Sequence, residues 1–251
     1  MTHKKHRLSL HVVVPDPLQR GAQVEVRLLV DGEDVLADVF TEGPGEDPRY
    51  LLVPDGPLIA ASEPREVRLA EADCTEGCCG ALYVTIRRDG DHVIWNEWRN
   101  PYEDEVDLPE FRFDAQEYGA EVERATKDHN WEWPARTVAR LLEQDLRERK
   151  EWLARWECEL GAVSAWPSEP DQINLFLFHP VHPGRSVIRE DRPWLQFGMV
   201  LAVSSDDPAD QTARLVEQLT AGDPRQTAGV CGGSPEFARQ LGYPWPQRRR
   251  A

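Results

Sequence analysis

The hydrophobic pattern of this chain changes its period near residue 113. Before that point, apolar and polar residues alternate, most clearly along residues 23–30, which is typical of half-buried strands. After it, apolar residues recur at steps of three and four, and Asp114 with Glu117 matches a helix-capping box. The change of period predicts an α+β fold, in which mainly antiparallel strands precede helices.

Turn residues divide this pattern into three predicted parts. We expect an N-terminal antiparallel β domain over residues 1–112, a central helical pair over 113–165 and a small C-terminal α+β unit over 166–251. The predicted strands span 7–14, 23–30, 35–40, 66–69, 81–87, 92–98, 172–178 and 194–203. The predicted helices span 115–129, 135–160 and 208–220, followed by a last short helix that Ser234 caps.

The chain is strongly acidic, with 45 Asp and Glu against 29 Lys and Arg and a net charge of −16. Such a surface repels phosphate groups, so we expect neither nucleic acid nor an anionic membrane as a partner. It favours a basic protein partner instead. No apolar run approaches ~18 residues, no signal-peptide pattern follows the N-terminus, and the five cysteines are an odd number, so we expect a cytoplasmic location.

A cysteine-rich turn precedes the strand predicted at 81–87 and contains Cys74, Cys78 and Cys79. Zinc binds where three or four thiolates or imidazoles converge, and His92 on the following predicted strand is a candidate fourth ligand. The spacing lacks the second cysteine pair of common zinc modules. Two alternatives therefore stay open: small buried core cysteines in a tight turn, and a redox-active or regulatory disulfide.

Tryptophans and carboxylates are close together in the sequence from the end of the predicted β domain onward. Nine carboxylates fall within residues 103–123, and seven of the nine tryptophans fall between residues 95 and 166. Exposed indoles beside negative charge would suit the binding of a basic protein. The alternatives are indoles that pack the core, a solvated acidic face, and carboxylates for acid–base or divalent-ion chemistry. The candidate binding residues are Trp95, Trp98, Glu103, Asp104, Glu105 and Asp107.

A glycine-rich loop at residues 229–235 contains Cys231 and leads into the last predicted helix. A cysteine near a helix start can have a lowered thiol pKa, which makes Cys231 a candidate catalytic nucleophile. His179 or His182 would have to act as its base, and the same two histidines are also conceivable metal ligands. The alternative is a flexible turn that feeds a capped helix.

Residues 65–98 combine a short strand, a Cys/Gly turn, a strand and a hairpin return that ends in Val/Ile-Trp. This segment resembles a recurrent piece of uncharacterised actinobacterial proteins. The similarity continues in a Phe-Arg-Phe-Asp stretch and in the first predicted helix, at residues 111–114, Tyr118, Glu121, Arg124 and Ala125. It covers about a quarter of the chain, and the cysteine spacing of those proteins is looser. The resemblance implies no activity and transfers no functional residue.

The sequence favours a non-catalytic cytoplasmic binding protein, immunity- or antitoxin-like or regulatory, that uses its acidic, Trp-flanked surface. One alternative is a module stabilised by zinc at the cysteine turn, and zinc is the one cofactor that the sequence suggests. The other alternative is an enzyme with Cys231 as its nucleophile.

Overall fold

The computed structural model describes residues 4–19, 22–37, 39–74, 76–102, 106–180 and 193–246. It has the mixed α+β fold that the sequence predicts, with three antiparallel sheets. The chain forms two compact units, Met1–Trp131 (unit 1) and Glu132–Ala251 (unit 2).

Unit 1 contains two of the three sheets. Its elements are β1 (Leu8–Val13), β2 (Glu25–Val30), β3 (Glu33–Asp34), α1 (Pro48–Leu51), β4 (Arg65–Glu71), α2 (Glu76–Cys79), β5 (Ala81–Asp89), β6 (His92–Arg99), β7 (Phe111–Asp114) and α3 (Ala115–Lys127). The strand order is β1-β2-β3 in the first sheet and β4-β5-β6-β7 in the second. The alternation of apolar residues along β2 and β5 buries one face of each strand, as their sequences predict.

The two sheets of unit 1 are joined through the backbone and share one core. The amide of His6, which lies just before β1, donates to the carbonyl oxygen of Arg112 in β7 at 2.8 Å. Residues of both sheets and of α3 then pack into a single apolar cluster, which includes Leu28, Val67, Ile86, Trp95 and Val122. This shared core fixes the positions of the loops that leave β4 and β6.

Helix α3 begins where the capping box predicts. The Asp114 carboxylate accepts hydrogen bonds from the amides of Gln116 and Glu117, at 3.0 and 3.3 Å. Further along the helix, Glu121 accepts from the Leu10 amide at 2.7 Å, and Arg124 donates to the Leu10 carbonyl at 2.8 Å. These two side chains satisfy backbone groups on the outer edge of β1, so α3 covers that edge.

Within the described part of residues 35–40, the predicted strand does not form. Glu33–Asp34 pairs with β2, the Val35 amide donates to the Leu28 carbonyl at 3.0 Å, and the Asp34 carboxylate accepts from the Leu36 amide at 2.9 Å to turn the chain. Val35, Leu36 and Phe40 nevertheless enter the core of unit 1. These side chains are therefore buried from a turn conformation, because burial does not require a strand.

Unit 2 is one four-stranded sheet with helices. Its elements are α4 (Pro134–Glu148), α5 (Lys150–Arg155), β8 (Glu159–Ser164), β9 (Gln172–His179), β10 (Leu195–Ala202), α6 (Pro208–Thr220), β11 (Gly229–Gly233) and α7 (Pro235–Gln240). The strand order is β11-β10-β9-β8, and all neighbours are antiparallel. Helix α4 packs against α6, β8 and β9. The described helices include none that is both long enough and apolar enough to cross a bilayer.

The helix predicted over 135–160 ends early, at Glu148, and a short helix follows it. The chain then reverses at Glu157, whose φ is 52°, and enters β8. Leu160 is buried in that strand opposite Leu177. Gly161 lies within β8, where an added Cβ would be 2.8 Å from a ring carbon of Phe178. Pairing with β9 therefore outweighs the helical spacing of the leucines.

The division into units differs from the three predicted parts. Helix α3 belongs to unit 1, and α4 belongs to unit 2, so the predicted central pair over 113–165 is not a unit of its own. The reason is that each helix has one apolar stripe, and each stripe is buried against a different sheet core.

Candidate metal centre

Three cysteines converge on the turn between β4 and β5. Cys74 precedes α2, and Cys78 and Cys79 form its last residues. The sulfur atoms of all three lie within 4.8 Å of one another, and the Sγ atoms of Cys78 and Cys79 are 3.6 Å apart. Cys74 and Cys78 are exposed, Cys79 is half-buried, and no disulfide joins any of the five cysteines. The structure therefore places a cluster of three thiols, which could bind a metal ion, at the protein surface.

The turn that holds this cluster is fixed by hydrogen bonds of its own. The Glu71 carboxylate accepts from the amide of Glu76 at 3.1 Å, which caps α2. The Gly80 amide donates to the Glu76 carbonyl at 3.0 Å, and the Tyr102 hydroxyl donates to the Gly77 carbonyl at 2.5 Å. The thiols are thus brought together by the protein itself, which reduces the ordering cost of binding an ion.

Gly80 ends α2 in a conformation that a side chain would disturb. Its φ is +91°, and an added Cβ would lie 2.2 Å from Oδ1 of Asn100, a residue that is 4% exposed. That Asn100 oxygen also accepts from the Tyr102 amide at 3.1 Å. The glycine is therefore required both by the backbone conformation and by the close approach of Asn100.

We expect Gly80→Ala to lower the free energy of unfolding by about 2–4 kcal/mol, because left-handed backbone strain adds to the clash with Asn100. Gly90→Ala is the matched control, since Gly90 also has a positive φ of 60° but has open space around its Cβ position. The control should lose about 1 kcal/mol. Urea unfolding measures both, and equal losses would contradict the steric role of Asn100.

The thiols of the cluster hold one of their protons tightly. Hydrogen bonds with Cys74 and with Cys78, together with a smaller effect of desolvation, raise the pKa of Cys79 to about 12. Cys79 therefore keeps its proton at neutral pH. A bound cation reverses this balance, because it favours thiolates and repels the proton.

The spacing of the Cys78 and Cys79 sulfurs fits tetrahedral coordination. With a zinc–sulfur distance of about 2.3 Å, the 3.6 Å separation of Cys78 and Cys79 corresponds to a sulfur–zinc–sulfur angle of about 103°. That angle is close to tetrahedral, so the two adjacent cysteines can bind the same ion.

The structure does not bring His92 to the cysteines. His92 pairs with Asp89 at the far end of the β5–β6 hairpin, whereas the cysteines precede Ala81 at the near end. Eight residues of strand separate those ends by about 26 Å. No histidine or acidic residue of the described ranges joins the three sulfurs in a cluster. The sequence already contains a signal for this, because residues 88–91 (Arg-Asp-Gly-Asp) form a hairpin-turn pattern that places His92 opposite the end of β5.

The tryptophan positions rule out the predicted indole surface at Trp95. Trp95 is 0% exposed, and its Nε1 donates to the Tyr118 hydroxyl at 3.3 Å. Trp98 is half-buried, and its Nε1 donates to the Pro109 carbonyl at 2.9 Å. Trp95 therefore belongs to the core of unit 1, and Trp98 packs against that core.

Four of the six described carboxylates of this acidic run form ion pairs within the chain. Glu103, Asp104 and Glu105 lie outside the described residues, and Asp107 is exposed. Further along, four carboxylates form ion pairs: Glu110 with Arg112 at 2.7 Å, Asp114 with Lys5 at 3.3 Å, Glu121 with Arg124 at 2.8 Å, and Glu123 with Lys127 at 2.5 Å. These pairs leave less unbalanced charge on this face than the sequence predicts.

The predicted nucleophile lacks a base in the described part of the chain. Cys231 lies on β11, its sulfur is 3.5 Å from the Gln196 carbonyl oxygen, and partial desolvation by neighbouring atoms raises its thiol pKa. A raised pKa opposes nucleophilic activation. His179 is buried elsewhere, with Nδ1 3.0 Å from the Glu157 carbonyl oxygen, and His182 lies outside the described residues.

Sequence reasoning missed one polar cluster in unit 2. The Asp223 carboxylate accepts from Arg225 at 2.9 Å, and the other guanidinium nitrogen lies 3.4 Å from Nδ1 of His179. The Phe237 ring stacks on His179 with a centroid distance of 6.3 Å. These contacts tie the loop after α6 and the helix α7 to the end of β9, and they explain why His179 is not available to Cys231.

In comparisons with protein-family models, curated proteins and solved structures, no significant match was found. The resemblance to uncharacterised actinobacterial proteins stays a prediction. We therefore infer the function from the geometry of the chain.

Proposed function

We propose that this chain is a metal-binding protein that holds a zinc ion through the thiolates of Cys74, Cys78 and Cys79. The observation that carries the proposal is the convergence of the three sulfur atoms within 4.8 Å on a short turn. Zinc is the ion favoured by this donor set, because thiolates are soft ligands and a tetrahedral arrangement suits it.

The zinc site would stabilise the protein without being needed for its fold. Unit 1 already has a continuous apolar core between its two sheets and α3. Small zinc modules, in contrast, fold only with their ion because they lack such a core. The ion would therefore fix the turn between β4 and β5 rather than the whole unit.

Metal analysis after loading with zinc and desalting under reducing conditions tests the proposal. We expect about one zinc ion per chain, whereas less than about 0.2 per chain would remove the proposal. The affinity should also fall as the pH falls, because Cys79 has a pKa of about 12 and must lose its proton to bind the ion. From Cys79 alone, lowering the pH from about 8 to about 7 weakens binding about tenfold, because one proton must be displaced.

A competition titration with a zinc-binding dye at both pH values measures this effect. The matched control is Cys231→Ser, which removes an exposed cysteine outside the cluster and should change neither the stoichiometry nor the pH slope. An affinity that does not depend on pH would show that the bound ion does not displace the Cys79 proton.

Binding of a basic protein, in an immunity- or antitoxin-like or regulatory role, stays a prediction from the net charge of −16. Trp95 takes no part in such a surface, because it is buried. Among the described candidates, Asp107 and the partly exposed edge of Trp98 remain, and Glu103, Asp104 and Glu105 lie outside the described residues and stay candidates.

A further inference from the structure

We propose that the metal at this site takes its fourth ligand from another molecule, and that this ligand is a thiolate. The inference rests on the proposed zinc site. It adds that the site exchanges or shares its ion with a thiol-bearing molecule, which distinguishes it from a closed structural site.

The first argument is the number of donors. Zinc in structural sites has four protein ligands, whereas sites with three protein ligands keep one position for an outside molecule. Cys74, Cys78 and Cys79 supply three sulfurs, and within the ranges that the structure describes no imidazole or carboxylate joins them. His92, the predicted fourth ligand, is at the other end of the hairpin.

The second argument is the surroundings of the turn. Two nearby carboxylates are engaged: Glu71 binds the Glu76 amide and Arg68, and Glu76 contacts the Tyr83 hydroxyl. The third, Asp73, is exposed, and its carboxylate does not join the three sulfurs in a cluster. None of the four residues of α2 is buried, and Cys74 and Cys78 are exposed. An outside molecule can therefore reach the ion without displacing a packed side chain.

The third argument is the chemistry of the ligand. Three thiolates give a zinc centre a charge of −1, which repels anions such as carboxylates and weakens the acidity of a bound water. A thiol approaches as a neutral molecule and matches the softness of the other three donors. In the exchange, the zinc–water bond breaks, a zinc–sulfur bond forms, and the thiol proton passes to the released water. No oxidation is involved.

Cobalt(II) substitution in the Cys231→Ser background tests this inference, because this variant lacks the exposed thiol outside the cluster. The thiolate-to-cobalt charge-transfer absorbance reports the number of bound thiolates. Adding N-acetylcysteine to about millimolar concentration should raise it by about one third, from three thiolates to four, with release of about one proton per chain. Acetate and N-acetylhistidine amide at the same concentration are the controls and should leave the charge-transfer band unchanged.

A second binding experiment distinguishes between a protein thiol and a small-molecule thiol as the source of the ligand. A lysine-rich peptide with a single cysteine should bind at least about tenfold more tightly than N-acetylcysteine if the natural donor is a basic protein, and equal affinities indicate a small-molecule thiol. Charge-transfer absorbance that does not respond to either thiol would overturn the inference while leaving the zinc site intact. Failure to bind cobalt or zinc at all would instead overturn the proposed function.

Discussion

Replacing Trp95 with alanine is expected to lower the free energy of unfolding of unit 1 by about 3–5 kcal/mol. The side chain is 0% exposed, and its ring contacts Phe113 and Tyr118 at centroid distances of 5.3 and 6.1 Å. Its removal leaves a large cavity between the sheets, and the surrounding strands can collapse only in part. Urea unfolding followed by circular dichroism measures the loss.

Trp166→Ala is the matched control for this substitution, because Trp166 is 44% exposed. Its effect should stay within about 0.5 kcal/mol. A loss below about 1 kcal/mol for Trp95→Ala would contradict the packing described for unit 1. It would also reopen Trp95 as a residue for partner contacts.

Replacing Cys79 with serine is expected to weaken zinc binding by about a hundredfold or more. A full set of four zinc ligands contributes about 10–16 kcal/mol, so the loss of one thiolate removes about 3 kcal/mol. Serine is nearly the same size, so the half-buried position beside the core of unit 1 should be retained. Competition with a zinc-binding dye measures the change. It is done at about pH 8, because zinc binds more tightly there than at about pH 7.

The Cys231→Ser variant again serves as the control and should bind zinc like the parent. Urea unfolding without zinc checks that Cys79→Ser has left the fold intact. If Cys79→Ser binds zinc as tightly as the parent, the ion is not held by the three converging sulfurs, and the proposed site is wrong.

Local signals in the sequence were sufficient for most elements. The alternation along β2 and β5, the Asp114 cap of α3 and the Ser234 cap of α7 all have the predicted structure. Each of these signals depends on residues within one or two turns of the chain, and nearby contacts satisfy them. The strands predicted at 172–178 and 194–203 also form.

Where a local pattern was compatible with two structures, contacts with residues distant in the sequence determined which structure formed. Leu160 continued the helical spacing of α4, but pairing with Leu177 places it in a strand. Trp98 should face away from Trp95 in a regular strand. The positive φ of Glu97, 52°, and the register shift beside it bring the two rings to 6.1 Å instead. A spacing rule cannot foresee such an irregularity, because it depends on how the neighbouring strand pairs.

The sequence by itself determined the α+β class, the acidic surface, most strands and helices, and the three cysteines as the unusual segment. Only the tertiary structure decided that Trp95 is core, that α3 and α4 belong to different units, and that the three sulfurs converge without His92. The physical reason is the separation along the chain over which each kind of interaction acts. Periodicity and capping act between residues a few positions apart, whereas burial and ligand convergence depend on strand register and sheet packing over the whole unit.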